Sequence, residues 1–322
     1  READYWARRD GADRVESRHV AEAIRARVQR SDLIAEKIRE LIHDGQLLID
    51  DTGTVTGQIN ALSVANLGDY AFGRPSRMTA SVGVGAGGLV NIERESRLSG
   101  RTFDKGLLIL EGYLRSKYAR EQPLVLSASL AMEQSYGGID GDSASAAELL
   151  CLLSAIAEVP LRQDIAITGS INQRGQVQAI GGVNEKIEGF YDVCLERGLS
   201  GTHGVCIPAS NVQNLVLRPD VVEAIGEGRF HVWPVETVDE AIELFAQVPA
   251  GAVDQADSFH GKVATRLTKM VDALKNRQLA SGERLLWTPG MPAELPPDPR
   301  PPFPGRGSLS GPADDQPPET LP

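Results

Sequence analysis

Ser143 and Lys186 are the residues whose types and settings could do chemistry together. Ser143 lies in the run Asp140-Gly141-Asp142-Ser143-Ala144-Ser145, directly before an apolar, Ala/Leu-rich stretch, 146–157, that predicts a helix. Lys186 closes Gly181-Gly182-Val183-Asn184-Glu185-Lys186 at the start of another expected helix. A serine hydroxyl is a poor nucleophile until a neighbouring base takes its proton, and a neutral lysine amine can be that base. The positive end of a helix macrodipole disfavours an ammonium, and burial lowers a lysine pKa in the same direction. Backbone N–H groups at the mouth of the Ser143 helix could hold an oxyanion. Plainer roles exist for both residues. A serine opening a helix is ordinarily a cap, and a lysine near a helix start is ordinarily solvated.

The elements between them must set their distance. Ile165-Ala166-Ile167-Thr168-Gly169-Ser170 and Gly175-Gln176-Val177-Gln178-Ala179-Ile180 have the pattern of a hairpin. The run Met132-Glu133-Gln134-Ser135-Tyr136-Gly137-Gly138 through Gly141-Asp142-Ser143-Ala144-Ser145 closely resembles the protease domain of the Lon family. Thr168-Gly169, Gly175, Gly181-Gly182 and Glu185-Lys186-Ile187 continue that resemblance, which spans about 57–245. Gly141-Asp142-Ser143 is similar to the archaeal-type and Lon-related variants; the commoner bacterial form has proline in place of Asp142.

The resemblance implies a Ser143–Lys186 catalytic dyad, with Thr168 supporting the lysine. It implies an α/β (α+β) fold of mixed sheets and flanking helices, and a serine endopeptidase acting on unfolded or damaged polypeptides. It also implies a homo-hexamer fed by an ATPase module. The alternative is a proteolytically silent assembly or interaction module of the same fold. Asp140 and Asp142 are open in role. A carboxylate touching Lys186 would hold it protonated, whereas one pointing away favours a helix N-terminus. The rival chemistry is a Ser-His-Asp triad using His203 or His231 as base and Asp140 or Asp142 as orienter. Gly141-Asp142-Ser143-Ala144-Ser145 lacks the second glycine of a nucleophile elbow.

With 322 residues, 41% of them hydrophobic, the chain can bury a large core or two ordinary ones. A net charge of −11 argues against a general nucleic-acid surface. Cys151, Cys194 and Cys206 lie in apolar surroundings without metal-ligand spacing. They suggest reduced core thiols and a cytoplasmic setting. No apolar run is long enough for a membrane span, and the five histidines form no metal pattern.

Residues 1–50 predict a helical segment, striped by Val20, Ile24 and Val28, then by Ile34, Ile38, Leu41 and Ile42. It resembles the end of an ATPase lid but holds no phosphate-cradling loop. ATP is therefore expected only for an ATPase module outside these residues, with no cofactor and no metal within them. Residues 51–250 predict the protease domain. Strands are expected over Gln58–Val64, Arg77–Val84 and Leu89–Glu93, then a helix opened by Thr102. Glu93 and Glu95 are expected in a solvated or subunit-facing charge cluster rather than as a catalytic pair. A strand over 124–134 leads to the serine loop; it could pair with an extended substrate, or be an ordinary internal strand, and the two readings are compatible. Residues 251–287 predict an amphipathic helix. In 288–322, which hold twelve of the nineteen prolines, the composition predicts a disordered tail.

Overall fold

The computed structural model describes residues 1–281 apart from Asp69 and Ala86. The Pro-rich stretch 288–322 lies outside the described residues. The chain opens with helices α1 (Glu2–Arg9), α2 (Ser17–Ser31) and α3 (Leu33–His43). Strands β1 (Thr54–Val55), β2 (Gln58–Asn66), β3 (Ala71–Gly83) and β4 (Gly88–Asn91) follow, then helices α4 (Ile92–Glu95) and α5 (Arg101–Tyr118). Strand β5 (Ser127–Met132) leads to helix α6 (Ser145–Ala157). Next come β6 (Leu161–Arg162), β7 (Ile165–Ile167), β8 (Ser170–Ile171) and β9 (Val177–Gln178), then helix α7 (Val183–Arg197). Strand β10 (Gly204–Pro208), α8 (Pro219–Gly226), β11 (His231–Val235), α9 (Val238–Ala246) and α10 (Phe259–Ser281) complete the described chain.

Seven strands form one mixed sheet in the order β11-β10-β7-β2-β3-β5-β4. β7, β10 and β11 run parallel, as their alternation with helices requires, while β2–β3–β5 is an antiparallel meander. The sheet is covered on both faces. Ile59, Ala61, Ile165 and Ile167 point into a core with α5, α6, α9 and α10; Leu62 and Ala166 point into a second core with α7 and α8. That alternation puts α6 and α7, the helices next to Ser143 and bearing Lys186, on opposite faces. Leu149 to Leu153 of α6 are all fully buried, as a continuous apolar run requires.

Three expectations are corrected. The stripe Val20, Ile24 and Val28 is exposed, Ile24 by 60%. α3 packs on the domain through Ile38 and Ile42, which meet Ile49 and, on α7, Val193. Ile92 and Glu93 leave the β4 strand for a helical turn, because the Asn91 side chain accepts the Arg94 N–H and caps α4. Glu93 is buried rather than solvated, its carboxylate accepting the Met132 N–H at 2.8 Å.

α7 lies against β3 backbone to backbone. A Cβ on Gly73 would overlap the Glu185 carbonyl, and one on Gly189 would overlap the Gly73 carbonyl. These two glycines set the depth at which the Lys186 helix sits. Gly73→Ala or Gly189→Ala should therefore cost about 1–3 kcal/mol, the usual range for overpacking. A thermal melt reads this as a lowered Tm; an unchanged Tm would mean that α7 is free to lift.

Candidate active site

The serine loop is stitched to the carboxyl end of β7. The Thr168 N–H bonds the Cys206 carbonyl at 3.1 Å, continuing the pairing of β7 with β10. The next N–H, of Gly169, donates to the Ser143 carbonyl at 2.9 Å, and the Gly169 carbonyl accepts from Ala146 N–H at 3.1 Å. Ser145 Oγ accepts the Ile171 N–H at 3.0 Å and donates to the Asp142 carbonyl at 2.8 Å. Ser145 thus spends its hydroxyl on structure. Ser143, two residues before α6 begins, accepts no backbone N–H through its hydroxyl and is not a helix cap.

Lys186 crosses from the first turns of α7 to meet this loop. Its Nζ lies 2.8 Å from Ser143 Oγ and 3.0 Å from Thr168 Oγ1. The lysine is 3% exposed. Burial pushes its pKa down to about 8, against smaller upward pulls from Asp142 and Glu185. Thr168 Oγ1 donates its proton to the Ser143 carbonyl at 3.3 Å, so its lone pairs face the amine. A neutral amine that gives one hydrogen to Thr168 keeps its lone pair for the Ser143 hydroxyl.

Neither aspartate hydrogen-bonds Lys186. Asp140 Oδ1 accepts the N–H groups of Thr102, Phe103 and Gly141 at 3.0, 3.2 and 2.8 Å. These bonds, the one from Gly141 foremost, lower its carboxyl pKa. Asp140 therefore caps α5 from across the chain, the part expected of Thr102. Gly141 then turns the loop at φ +98°, which a residue with a Cβ rarely adopts. Asp142 acts on Lys186 only through its charge.

A groove of about 950 Å³ runs past Ser143 and Lys186. Asp142, Ser143 and Ala144 line it, and their N–H groups donate to no acceptor among the described residues. Of the two readings of the strand before the serine loop, the structure has the internal one and not the substrate-pairing one: β5 is hydrogen-bonded by β3 on one side and β4 on the other, and Glu93 takes the Met132 N–H. The open edge belongs to β2, since β7 pairs only with Asn60 and Ala61. Beyond them Leu62, Ser63 and Val64 line the groove with one edge free of any described strand.

The histidines stand elsewhere. His203 bonds the Asp51 carbonyl and Ser200, and His231 bonds the Gly201 carbonyl, both at the amino ends of β10 and β11. Ser143 has no histidine partner. The described residues contain no cluster of His, Cys, Asp or Glu that could hold a metal ion, and no helix long and apolar enough to cross a membrane. All three cysteines are buried and free. The sequence did not disclose Glu148, fully buried on α6 and bonded by Asn91 Nδ2 at 2.9 Å. Burial, then Glu93 and Asp104, push its pKa up to about 8. An acidic residue within an otherwise apolar helix face was the available signal.

Asp140→Ala should lower stability by about 1 kcal/mol through cap loss. It should also slow labelling of Ser143 by a serine-directed probe, because the loop loses its tether to α5. Asn caps as well as Asp, so Asp140→Asn should restore both readouts; equal damage by Asn and Ala would refute the capping role.

Residues 134–248 match the family model of the Lon protease (S16) C-terminal proteolytic domain. Residues 1–30 match that of the archaeal LonB AAA+ ATPase LID domain. A protein of Escherichia coli (strain K12) named "Putative Lon protease homolog" is 46% identical over 223 residues, 69% of this chain and 38% of that protein. One of the same name from Haemophilus influenzae is 46% identical over 201 residues, 62% of this chain and 33% of that protein. An "Archaeal Lon protease" of Archaeoglobus fulgidus is 29% identical over 251 residues, 76% of this chain and 36% of that protein. The chain thus spans well under half the length of these relatives. With its serine loop, Thr168 and Lys186 all inside the matched region, the chain belongs to the Lon protease family and carries its C-terminal proteolytic domain.

Proposed function

We propose that this chain is a serine endopeptidase working through a Ser143–Lys186 dyad and an acyl-enzyme. The observation that carries this reading is the 2.8 Å approach of a buried amine to a hydroxyl at the wall of a groove. Neutral Lys186 takes the Ser143 proton as Oγ attacks the scissile carbonyl. The oxyanion forms beside the N–H groups of Asp142, Ser143 and Ala144, of which we take the first two as its donors. As the C–N bond breaks, the Lys186 ammonium returns its proton to the leaving amine. Water then attacks the ester and gives a proton to Lys186, which returns it to Ser143 Oγ as the ester C–O bond breaks and the acid product departs. Thr168 keeps the amine aimed throughout.

The open edge of β2 at 62–66 suits an extended polypeptide bound by backbone pairing, which selects unfolded chains over folded ones. Coupling to an ATPase module, assembly as a homo-hexamer, quality control of damaged proteins and a cytoplasmic setting complete the reading, supported by the resemblance to Lon proteases. In the same way 1–50 is taken as lid-derived, 51–250 as the protease domain and 251–287 as a helical extension.

Ser143→Ala should abolish hydrolysis of a fluorogenic peptide and block labelling by a serine-directed probe, with Tm nearly unchanged because Ser143 caps no helix. Persistent turnover in a clean preparation would remove Ser143 as nucleophile.

The pH profile tests the base. Lys186 must be neutral to act, and burial has brought its pKa from the ordinary lysine range down to about 8. Activity should therefore rise with pH through about 8 and favour mildly alkaline solution. Lys186→Arg stays charged and should be as inactive as Lys186→Ala, while His203→Ala should keep the wild-type profile. An active Lys186→Arg variant would sink the dyad.

A further inference from the structure

Arg74 is a cation in the groove that no carboxylate among the described residues pairs. It lines the groove from β3, directly opposite Ser63 of β2. It is half-buried, and burial alone moves its guanidinium, downward from the ordinary value. Among the described residues its side chain has neither a hydrogen bond nor an ion pair, although Asp140, Asp142 and Glu185 line the same groove. Other arginines facing a packed element have their carboxylates: Arg77 has Glu133, Arg162 has Asp164, and Arg197 has Asp51. A desolvated, unpaired guanidinium is costly. That cost is removed when a ligand brings the missing anion.

Position says which ligand. Strand alternation turns Arg74 away from Gly73, hence away from α7, onto the face shared by Ser63. An extended chain pairing with the free edge of β2 at 62–66 would lie two strand spacings from β3, about 10 Å. An arginine side chain spans much of that distance, and a carboxylate side chain supplies the rest. Only every second residue of the bound strand faces the same way, so one position should be read and its neighbours ignored.

Resting on the protease reading above, we propose that Arg74 is a specificity-determining residue that binds a carboxylate of the extended polypeptide substrate. The carboxylate can come from an Asp or Glu side chain or from a chain terminus; both present the same fork to a guanidinium.

The test uses the 322-residue chain and peptides in which one Glu, or its isostere Gln, is moved along an otherwise neutral sequence, each with a free or an amidated C-terminus. The readout is the Glu-to-Gln ratio of kcat/KM. At one position the wild-type ratio should be about tenfold or more, the scale of a charge-assisted hydrogen bond. Arg74→Ala should bring that ratio near one, and Arg74→Glu should invert it in favour of a Lys-bearing peptide. A Glu preference that Arg74→Ala removes assigns the side chain; a preference for the free over the amidated C-terminus that Arg74→Ala removes assigns the terminal carboxylate. Neither preference in the wild type at any position, or the same preferences in wild type and Arg74→Ala, overturns the proposal. The latter result together with loss of oligomers in Arg74→Glu would assign the missing anion to a neighbouring copy.

Affinity of the same peptides for the Ser143→Ala variant, measured by fluorescence anisotropy, reads Arg74 with turnover removed. Failure of the protease reading would leave all peptides uncleaved yet bound with Arg74-dependent preference. Failure of the Arg74 proposal would leave cleavage intact and the binding preference absent.

Discussion

The rest of this structure depends on keeping one amine out of water without giving it a carboxylate. A lysine in solution is almost wholly protonated at neutral pH and useless as a base. Lys186 goes part of the way to neutrality because burial lowers its pKa to about 8, its hydrogen-bond partners are two hydroxyls, and Asp140 is tied up on α5. Had the Asp140 carboxylate reached Nζ, the Coulomb attraction would have held the proton. The capping of α5 and the readiness of Lys186 are thus one arrangement.

That arrangement demands accuracy from elements on opposite faces of the sheet. α6 fixes Ser143 from one side and α7 brings Lys186 from the other. They meet only around the carboxyl end of β7, where Thr168 and Gly169 bond the Ser143 carbonyl. The glycine contact between β3 and α7 sets one distance, and α3 braces the far side of α7. Arg197 near the end of α7 donates to the carbonyls of Ile42 and Ile49 and to Asp51. The amino-terminal helices therefore act on the site through α7, although none of their residues lines the groove.

Ser143, Thr168 and Lys186 were legible because their motifs are local: a loop, a strand end and a helix start, each with its own punctuation. The parallel half of the sheet was legible for the same reason, strand and helix alternating at short intervals. What the sequence concealed depends on partners far along the chain. Thr102 looked like a cap because it stands at a helix start, yet the capping carboxylate comes from Asp140. Glu93 looked solvated because it sits among Arg94 and Glu95, yet tertiary packing delivers it to the Met132 N–H. The Val20, Ile24 and Val28 stripe predicted burial that the described residues do not supply, since periodicity names a face and not what covers it. Gly73 carried a usable signal that was passed over, as a glycine inside a strand often marks close backbone approach.

Two buried ionisable groups close to the serine loop respond to pH in opposite senses. Lys186 has its pKa lowered to about 8, so its ammonium is a burden on the fold below that pH, relieved as the pH climbs toward the unfolded value. Glu148 has its pKa raised to about 8, so it folds at no electrostatic cost while protonated. Between its ordinary value and about 8 the folded chain holds a proton that the unfolded chain has lost, and stability falls as pH rises. A pKa that differs by one between the folded and unfolded chain corresponds to about 1.4 kcal/mol. Above about 8 the Glu148 carboxylate is charged inside the core, facing Glu93 and Asp104, with Asn91 as its hydrogen-bond donor. On the dyad reading, the alkaline conditions that would free the base therefore load the helix that follows Ser143. The useful range for that proposed chemistry lies where Lys186 has begun to lose its proton and Glu148 has not yet fully lost its own.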